Sequence, residues 1–503
     1  MRAHSALSGL VAAGAGVAAG ELLAAAARPG ASPVLSVGAA VIDATPTPIK
    51  EFAVRTVGTA DKPLLLTGIA VILTALAVLL GIAARRRPLW GVLGFAAFGL
   101  AGAAAAVTRP AAGPLDALPS LLAGLVAAAA LTFLSRILTD DASRPQAGAS
   151  PAPGRRGFLA AIVLMAAGAA AGGAATVLLR ARAGRSAAEN RAGVRLPPPT
   201  DPAPALPPGT PPDFLTTNAN FYRVDTALTL PQLDPATWRL KIHGMVGESV
   251  TLSLDDLLQR RTLERFQTLT CVSNEVGGPY TGTARWLGVP LKALLDEAGV
   301  DPAADQLVAR GADGMTIGTP TRLALDGRDA MLAFGMNGEP LPIEHGFPVR
   351  MLTPGLYGYA GSCKWITELE LTTFDAYDAY WVERGWAAEG PVKIASRIDR
   401  PVPFTRVTAG QSVTISGVAW AVHTGITSVE VQIDDGDWQP ATVLPPPTGD
   451  TWVQWRLPWS PVPGGHTLRV RATDRAGTVQ TSDRATPFPS GATGQHTISV
   501  TAA

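Results

Sequence analysis

Five apolar runs fill the first third of the chain, each near the ~20 residues a helix needs to cross a bilayer. A backbone in lipid must satisfy its own hydrogen bonds, so runs of this kind fold as helices. They lie at about 6–27, 64–84, 89–107, 115–134 and 158–179. A sixth run, 34–42, is too short to span and ends at Asp43, so it reads as interfacial or re-entrant. Arg85, Arg86 and Arg87 mark the loop after the second run as cytoplasmic, and Arg136 with Arg144 marks the loop after the fourth. This places the N-terminus inside and everything after Leu179 outside. Arg180, Arg182 and Arg185 oppose that count, although a long translocated domain overrides charges on its near side.

The fifth run opens with Arg155-Arg156-Gly157-Phe158-Leu159, which resembles a twin-arginine export signal, with Gly154 where serine or threonine is usual. An ordinary positive flank reads as well. Glu21 is the one charged residue in a span core, facing a partner, a site or the membrane surface. The six histidines include none in a span after the first, so no bis-histidine haem is expected in this chain. Net charge is +1 with 16% charged residues, which gives no nucleic-acid groove. Lipid is the expected surrounding of this half.

Residues 196–212, LPPPTDPAPALPPGTPP, read as a semi-rigid spacer that lifts the next domain off the membrane. Beyond it, Trp238, Leu240 and Ile242 read as a strand entering a turn at Gly244, and Ser253 caps a short helix. The stretch FQTLTCVSNEVGGPYTGTARWLGV then places Cys271 where a strand gives way to an irregular loop. After the loop comes an apolar stripe of Trp286, Leu287, Val289, Leu291, Leu294 and Leu295. By itself Cys271 reads as a soft metal ligand, a nucleophile or a buried small hydrophobe. Upstream, Asn220, Tyr222 and Arg223 form a polar and aromatic cluster that on sequence alone reads better as a solvated loop.

TLTCVSN, the upstream NANFYRVDTAL and the downstream MNGEPLPIEHGFPVRMLTPGLYGYAGSCKW together resemble the sulfite oxidase family. The resemblance implies a mixed α+β molybdopterin domain, one pterin on one molybdenum, and Cys271 as the catalytic thiolate on the metal. It also implies pterin or phosphate contacts from His345 and Arg350, a basic contact from Lys364, and contacts from Ser362, Cys363, Asn220, Tyr222 and Arg223. Two cysteines in an exported chain also admit a disulfide, which would remove the metal ligand, but Cys363 reads better as a small buried residue. The chain departs from sulfite-oxidising members in having Ser273, Asn274 and Glu275 after the cysteine, with no basic residue. It also reads Thr316-Ile317-Gly318-Thr319-Pro320 where they use a tyrosine.

From about Pro401, short alternating segments, an Asp434-Asp435-Gly436 turn, and Trp420, Trp438, Trp452, Trp455 and Trp459 read as a β-sandwich core. The expected organisation is a transmembrane helical region at 1–157, a fifth span at 158–180 and a proline-rich linker at 181–212. A sulfite-oxidase-type molybdopterin domain is expected at 213–395, then an immunoglobulin-like dimerisation domain at 396–503. The expected activity is extracytoplasmic oxygen-atom transfer on a small molecule, with an external cytochrome or quinone-linked carrier and a homodimer. Sulfoxide reduction is the alternative within enzymes, and a cofactor-free membrane-anchored binding protein the alternative outside them.

Overall fold

The computed structural model describes residues 2–46, 49, 61–109, 112–142 and 153–503. Arg144 and the side chain of Arg155 lie outside the described residues. The chain divides into two compact units, 1–186 with 227–229, and 187–226 with 230–503.

The first unit is helical. Its helices are α1 (Arg2–Ala27), α2 (Pro33–Ala44), α3 (Asp61–Arg86), α4 (Pro88–Val107), α5 (Leu118–Ala142) and the start of α6 (Pro153–Gly193). All but α2 are long and apolar enough to cross a membrane. Their burial pattern is inverted relative to a water-soluble bundle. Leu64, Leu89, Leu125 and Leu164 are each more than 60% exposed, whereas Ala12, Ser8, Ala127 and Ser120 are buried. Small residues allow the close helix contacts that lipid-embedded packing relies on. A Cβ at Gly81 would come 2.2 Å from the Ser5 carbonyl, so α1 and α3 meet backbone to backbone.

At one end of this bundle the charges are paired. Glu21 meets Arg180 at 2.5 Å, accepts from Ser32 Oγ at 2.8 Å and accepts the Val34 N–H at 3.0 Å. Arg28 bonds Asp116 at 3.0 Å, and Arg109 donates to the Gly30 carbonyl at 2.6 Å.

Helix α6 runs on to Gly193, so the extended segment begins at Val194 rather than at 181. That segment is not a free spacer. Leu196 packs on the main core of the second unit. The Asp201 N–H donates to Thr262 O at 3.0 Å, the Glu264 N–H donates to Asp201 O at 2.8 Å, and Arg265 bonds the Asp201 carboxylate at 2.6 Å. Prolines lack an N–H, but their extended backbone leaves Thr200 and Asp201 free to supply the bonds.

The second unit opens with ten strands in two sheets. One sheet contains β1 (Arg239–Gly244), β2 (Val250–Ser253), β5 (Gln306–Gly311), β6 (Thr316–Pro320) and β10 (Ile366–Thr372), in the order β2-β1-β10-β5-β6. The other contains β3 (Leu263–Thr270), β4 (Thr281–Pro290), β7 (Met331–Met336) and β8 (Glu339–Pro340) in that order, with β9 (Arg350–Leu352) on β7. Short helices α7 (Leu254–Leu258), α8 (Leu291–Ala298), α9 (Thr321–Leu325) and α10 (Gly358–Gly361) complete it. Ser253 caps α7 in a capping box with Asp256.

Strand β4 is buried on both faces. Leu287 and Val289 point into the core shared with the first sheet, while Ala284 and Trp286 point into a second cluster with Phe221, Met331 and Phe347. This alternation is the two-residue period of a strand. The apolar stripe therefore divides at Pro290 between strand and helix.

The remaining strands are β11 (Ala395–Arg400), β12 (Arg406–Val407), β13 (Val413–Trp420), β14 (Ile426–Ile433), β15 (Trp438–Pro440), β16 (Thr442–Val443), β17 (Val453–Trp459), β18 (Gly464–Asp474) and β19 (His496–Ala502). They form sheets β11-β13-β17-β16 and β12-β19-β18-β14-β15. Ile415, Val453 and Trp455 of one sheet share a core with Val431, Leu468, Val470 and Ile498 of the other. Asp434, with φ 51°, makes the turn between β14 and β15. Trp420, Trp452, Trp455 and Trp459 are buried. Trp438, expected in the core, is half-buried beneath the Arg471 guanidinium.

Candidate cofactor site

Four segments converge on the site: the end of β3, the loop 218–225, the 343–350 approach to β9, and the 362–365 link from α10 to β10. Strand β3 stops at Thr270, and Cys271 opens a loop that returns to β4 at Thr281. Asn274 holds the loop closed, donating its N–H to Cys271 O at 3.0 Å and accepting the Tyr280 N–H on Oδ1 at 2.8 Å. Cys271 is half-buried, with its sulfur 2.9 Å from Ser273 Oγ. Burial pushes this thiol above its ordinary pKa, while Ser273 and Lys364 pull it back. The thiol is therefore protonated at neutral pH, and a bound metal cation is what would release its proton.

Arg350 is buried on β9. It donates to His345 O at 3.1 Å and lies 5.0 Å over the Trp286 ring. Its Nε has no hydrogen-bond acceptor among the described residues. Burial pulls its pKa down to about 10. His345 is buried with Nε2 3.0 Å from Asn218 O, and burial pulls its ring down to about 4, so it is neutral at pH 7. Lys364 Nζ reaches Asp225 at 2.9 Å and sits 4.4 Å over the Trp365 ring. Burial lowers its pKa to about 8, against the pull of Asp225. Burial and the Cys271 sulfur raise the Tyr222 phenol far above its ordinary range, with Arg350 opposing.

Cys271, Tyr222, His345, Arg350 and Lys364 therefore share one electrostatic neighbourhood. The other expected residues are placed differently. Arg223 is half-exposed and turns to Asp225 at 3.0 Å. Asn220 is exposed and bonds Thr217 O through its backbone. Ser362 is half-buried and donates its N–H to Gly358 O as the helix cap. Cys363 is 1% exposed within the main core, the small buried residue that the sequence favours, with Arg350 and Lys364 close enough to act on its thiol. Both cysteines are free thiols. The sequence reading passed over Asp225, which joins Arg223 to Lys364, and Tyr357, a buried phenol that Cys271 helps hold up at about 12. Asp225 lies within the quoted FYRVD segment, but its pairing with Lys364 spans 139 positions.

A family model described as an oxidoreductase molybdopterin binding domain matches residues 227–381. YuiH, an uncharacterized oxidoreductase of Bacillus subtilis, is 30% identical over 164 residues, which cover 31% of this chain and 76% of that protein. Mitochondrial sulfite oxidase of Homo sapiens is 32% identical over 300 residues, 50% of this chain and 54% of that one. The chain belongs to the sulfite oxidase family of molybdopterin-dependent oxidoreductases. It spans about half the length of the curated sulfite oxidases it matches. The solved sulfane dehydrogenase SoxCD from Paracoccus pantotrophus is 27% identical, over 54% of this chain and 76% of that one, with a TM-score of 0.48.

The cofactor of a sulfite oxidase family member is molybdenum–molybdopterin, and the residues present fit it. Among the described residues no group of three or more His, Cys, Asp or Glu could hold a metal ion unaided. A metal that arrives already bound by a pterin needs fewer protein ligands, and a single thiolate suits its soft coordination. The orphaned Nε of buried Arg350 and the buried ammonium of Lys364 are donors suited to an anionic group.

Proposed function

We propose that this protein is a membrane-anchored oxidoreductase that moves an oxygen atom to or from a small molecule, with Cys271 as the thiolate on molybdenum. The observation that carries this reading is a half-buried thiol at a strand end, with Tyr222 between it and Arg350, whose buried Nε lacks an acceptor among the described residues. When bound, the cofactor supplies two-electron redox chemistry at the metal. The chain's own part is to hold and orient. Cys271 fixes the metal's position, Arg350 and Lys364 take the negative charge of the pterin group, and neutral His345 donates or accepts without adding charge. Electrons pass to or from an external carrier. Glu275, exposed on the Cys271 loop, disfavours sulfite itself, since like charges repel.

We assign the cofactor domain to the outside on the arginine-rich loops after the second and fourth spans. Arg28 and Arg180 meet carboxylates and lie at the end assigned to the outside, against the arginine count, which a long translocated domain overrides. We read the two C-terminal sheets as an immunoglobulin-like sandwich that pairs subunits.

The test is molybdenum content and turnover of the full chain made in a molybdenum-replete host. About one molybdenum per chain is expected, and Cys271→Ser should keep the pterin while losing turnover. A well-folded protein that takes up no metal would refute the reading and favour a binding protein.

A further inference from the structure

The C-terminal sandwich carries no chemistry of its own by sequence, yet it grips the loop that presents Cys271. The base of this loop is closed by its own bonds: the Cys271 N–H donates to Tyr280 O at 3.0 Å, and Asn274 bridges both ends. Its far end is held from outside. Arg397 of β11 donates Nη1–H to Gly278 O at 2.9 Å, and its Nε is fixed on Asp399 at 2.6 Å, so the guanidinium is aimed. His496, the first residue of β19, accepts the Ile398 N–H on Nδ1 at 3.0 Å. Its ring lies so close to Gly277 that a Cβ there would come 2.3 Å from Nε2. Gly277 also has φ 80°, a conformation that side chains disfavour. A gap of about 20 Å³ lies between Asn274–Gly277 and Ser396 and Gln480 behind them.

We propose that Arg397 and His496 are positioning residues for Cys271, holding the loop from behind so that its sulfur is presented at a fixed place. This rests on Cys271 being the metal's thiolate. Joining the sandwich to the cofactor domain does not require these contacts. A cluster of Phe214, Val418, Trp420, Val422 and Trp452 already supplies apolar area, and Trp452 N–H and Asp450 O both bond Thr268 of β3. Two polar side chains on a glycine tip add direction rather than area.

The test is the rate at which iodoacetamide alkylates Cys271 in the full-length, cofactor-free protein in detergent. Peptide mass spectrometry reads Cys271 apart from buried Cys363. Losing the bond to Gly278 O in Arg397→Ala, or the ring packed on Gly277 in His496→Ala, should ease local opening, so each raises the rate about fivefold to tenfold. Arg397→Lys keeps a donor and stays within about twofold of the parent. Unchanged rates in both alanine variants overturn the proposal. If those variants do not fold, hydrogen exchange of the unmutated protein decides. The amides of Cys271, Gly278 and Tyr280 should exchange as slowly as those of β11 and β19, and exchange about a hundredfold faster overturns it. Alkylation needs no metal, so loss of turnover in Cys271→Ser at retained molybdenum tests the ligand reading separately.

Discussion

Replacing Arg350 with methionine is expected to cost the cofactor-free protein little or no stability while abolishing cofactor retention. Burial lowers this guanidinium from 12.5 to about 10. At about 1.36 kcal/mol per unit, holding the cation there costs ~3 kcal/mol at neutral pH. The folded state binds its proton less tightly than the unfolded chain, so the cost is full below about 10 and fades as pH rises towards 12.5. Methionine forfeits the bond to His345 O, worth about 1.5–3 kcal/mol for a charged donor. The contact over Trp286 is largely replaced, because a thioether also packs well on an aromatic ring. The balance lies between zero and a gain of about 1.5 kcal/mol. In thermal unfolding of the cofactor-free full chain, the midpoint should stay within about 5 °C of the parent or rise. Retained molybdenum should fall below about a tenth of the parent's, since about 1.4 kcal/mol is already tenfold in binding. A fall of more than about 10 °C in the cofactor-free midpoint would show that Arg350 is already satisfied by the protein, and would refute its assignment to an external anion.

Lys364→Met should behave oppositely. It removes one of the two cationic partners of Asp225, whose side chain is 3% exposed, and leaves that carboxylate on half-exposed Arg223 alone, which should cost about 1–3 kcal/mol, readable in the same unfolding experiment. His345, at about 4 when folded, makes the protein lose stability as pH falls from its ordinary 6.5 through 4, by roughly 3 kcal/mol in all. His345→Gln should remove that slope and move the acid-unfolding midpoint to lower pH. For sidedness, alkaline phosphatase, active only outside the cytoplasm, should be active when fused after Ala503 and inactive when fused after Arg87; the reverse pattern would overturn the assigned orientation.

Local chemistry makes much of the site legible. Cys271 reads as a strand end because Asn274, Gly277, Gly278 and Pro279 interrupt the apolar pattern there, and β3 does end at Thr270. The spans are legible because length and hydropathy need no partner to be recognised. What escapes depends on distance along the chain. Arg397 and His496 meet the loop across more than a hundred positions, and neither lies in a motif. The proline tract misleads because composition predicts its extended shape and says nothing of what that shape lies against.

That tract bears on how the cofactor half can be isolated. Strand β3 is the outermost member of its sheet, and Asp201 takes up the bonds that its first residues would otherwise offer to any passing strand. A soluble fragment beginning at Pro212 would uncover that edge, inviting strand addition between molecules and aggregation. One beginning near Ala187 keeps it covered. The residues that look dispensable by composition act as the guard on an otherwise adhesive edge.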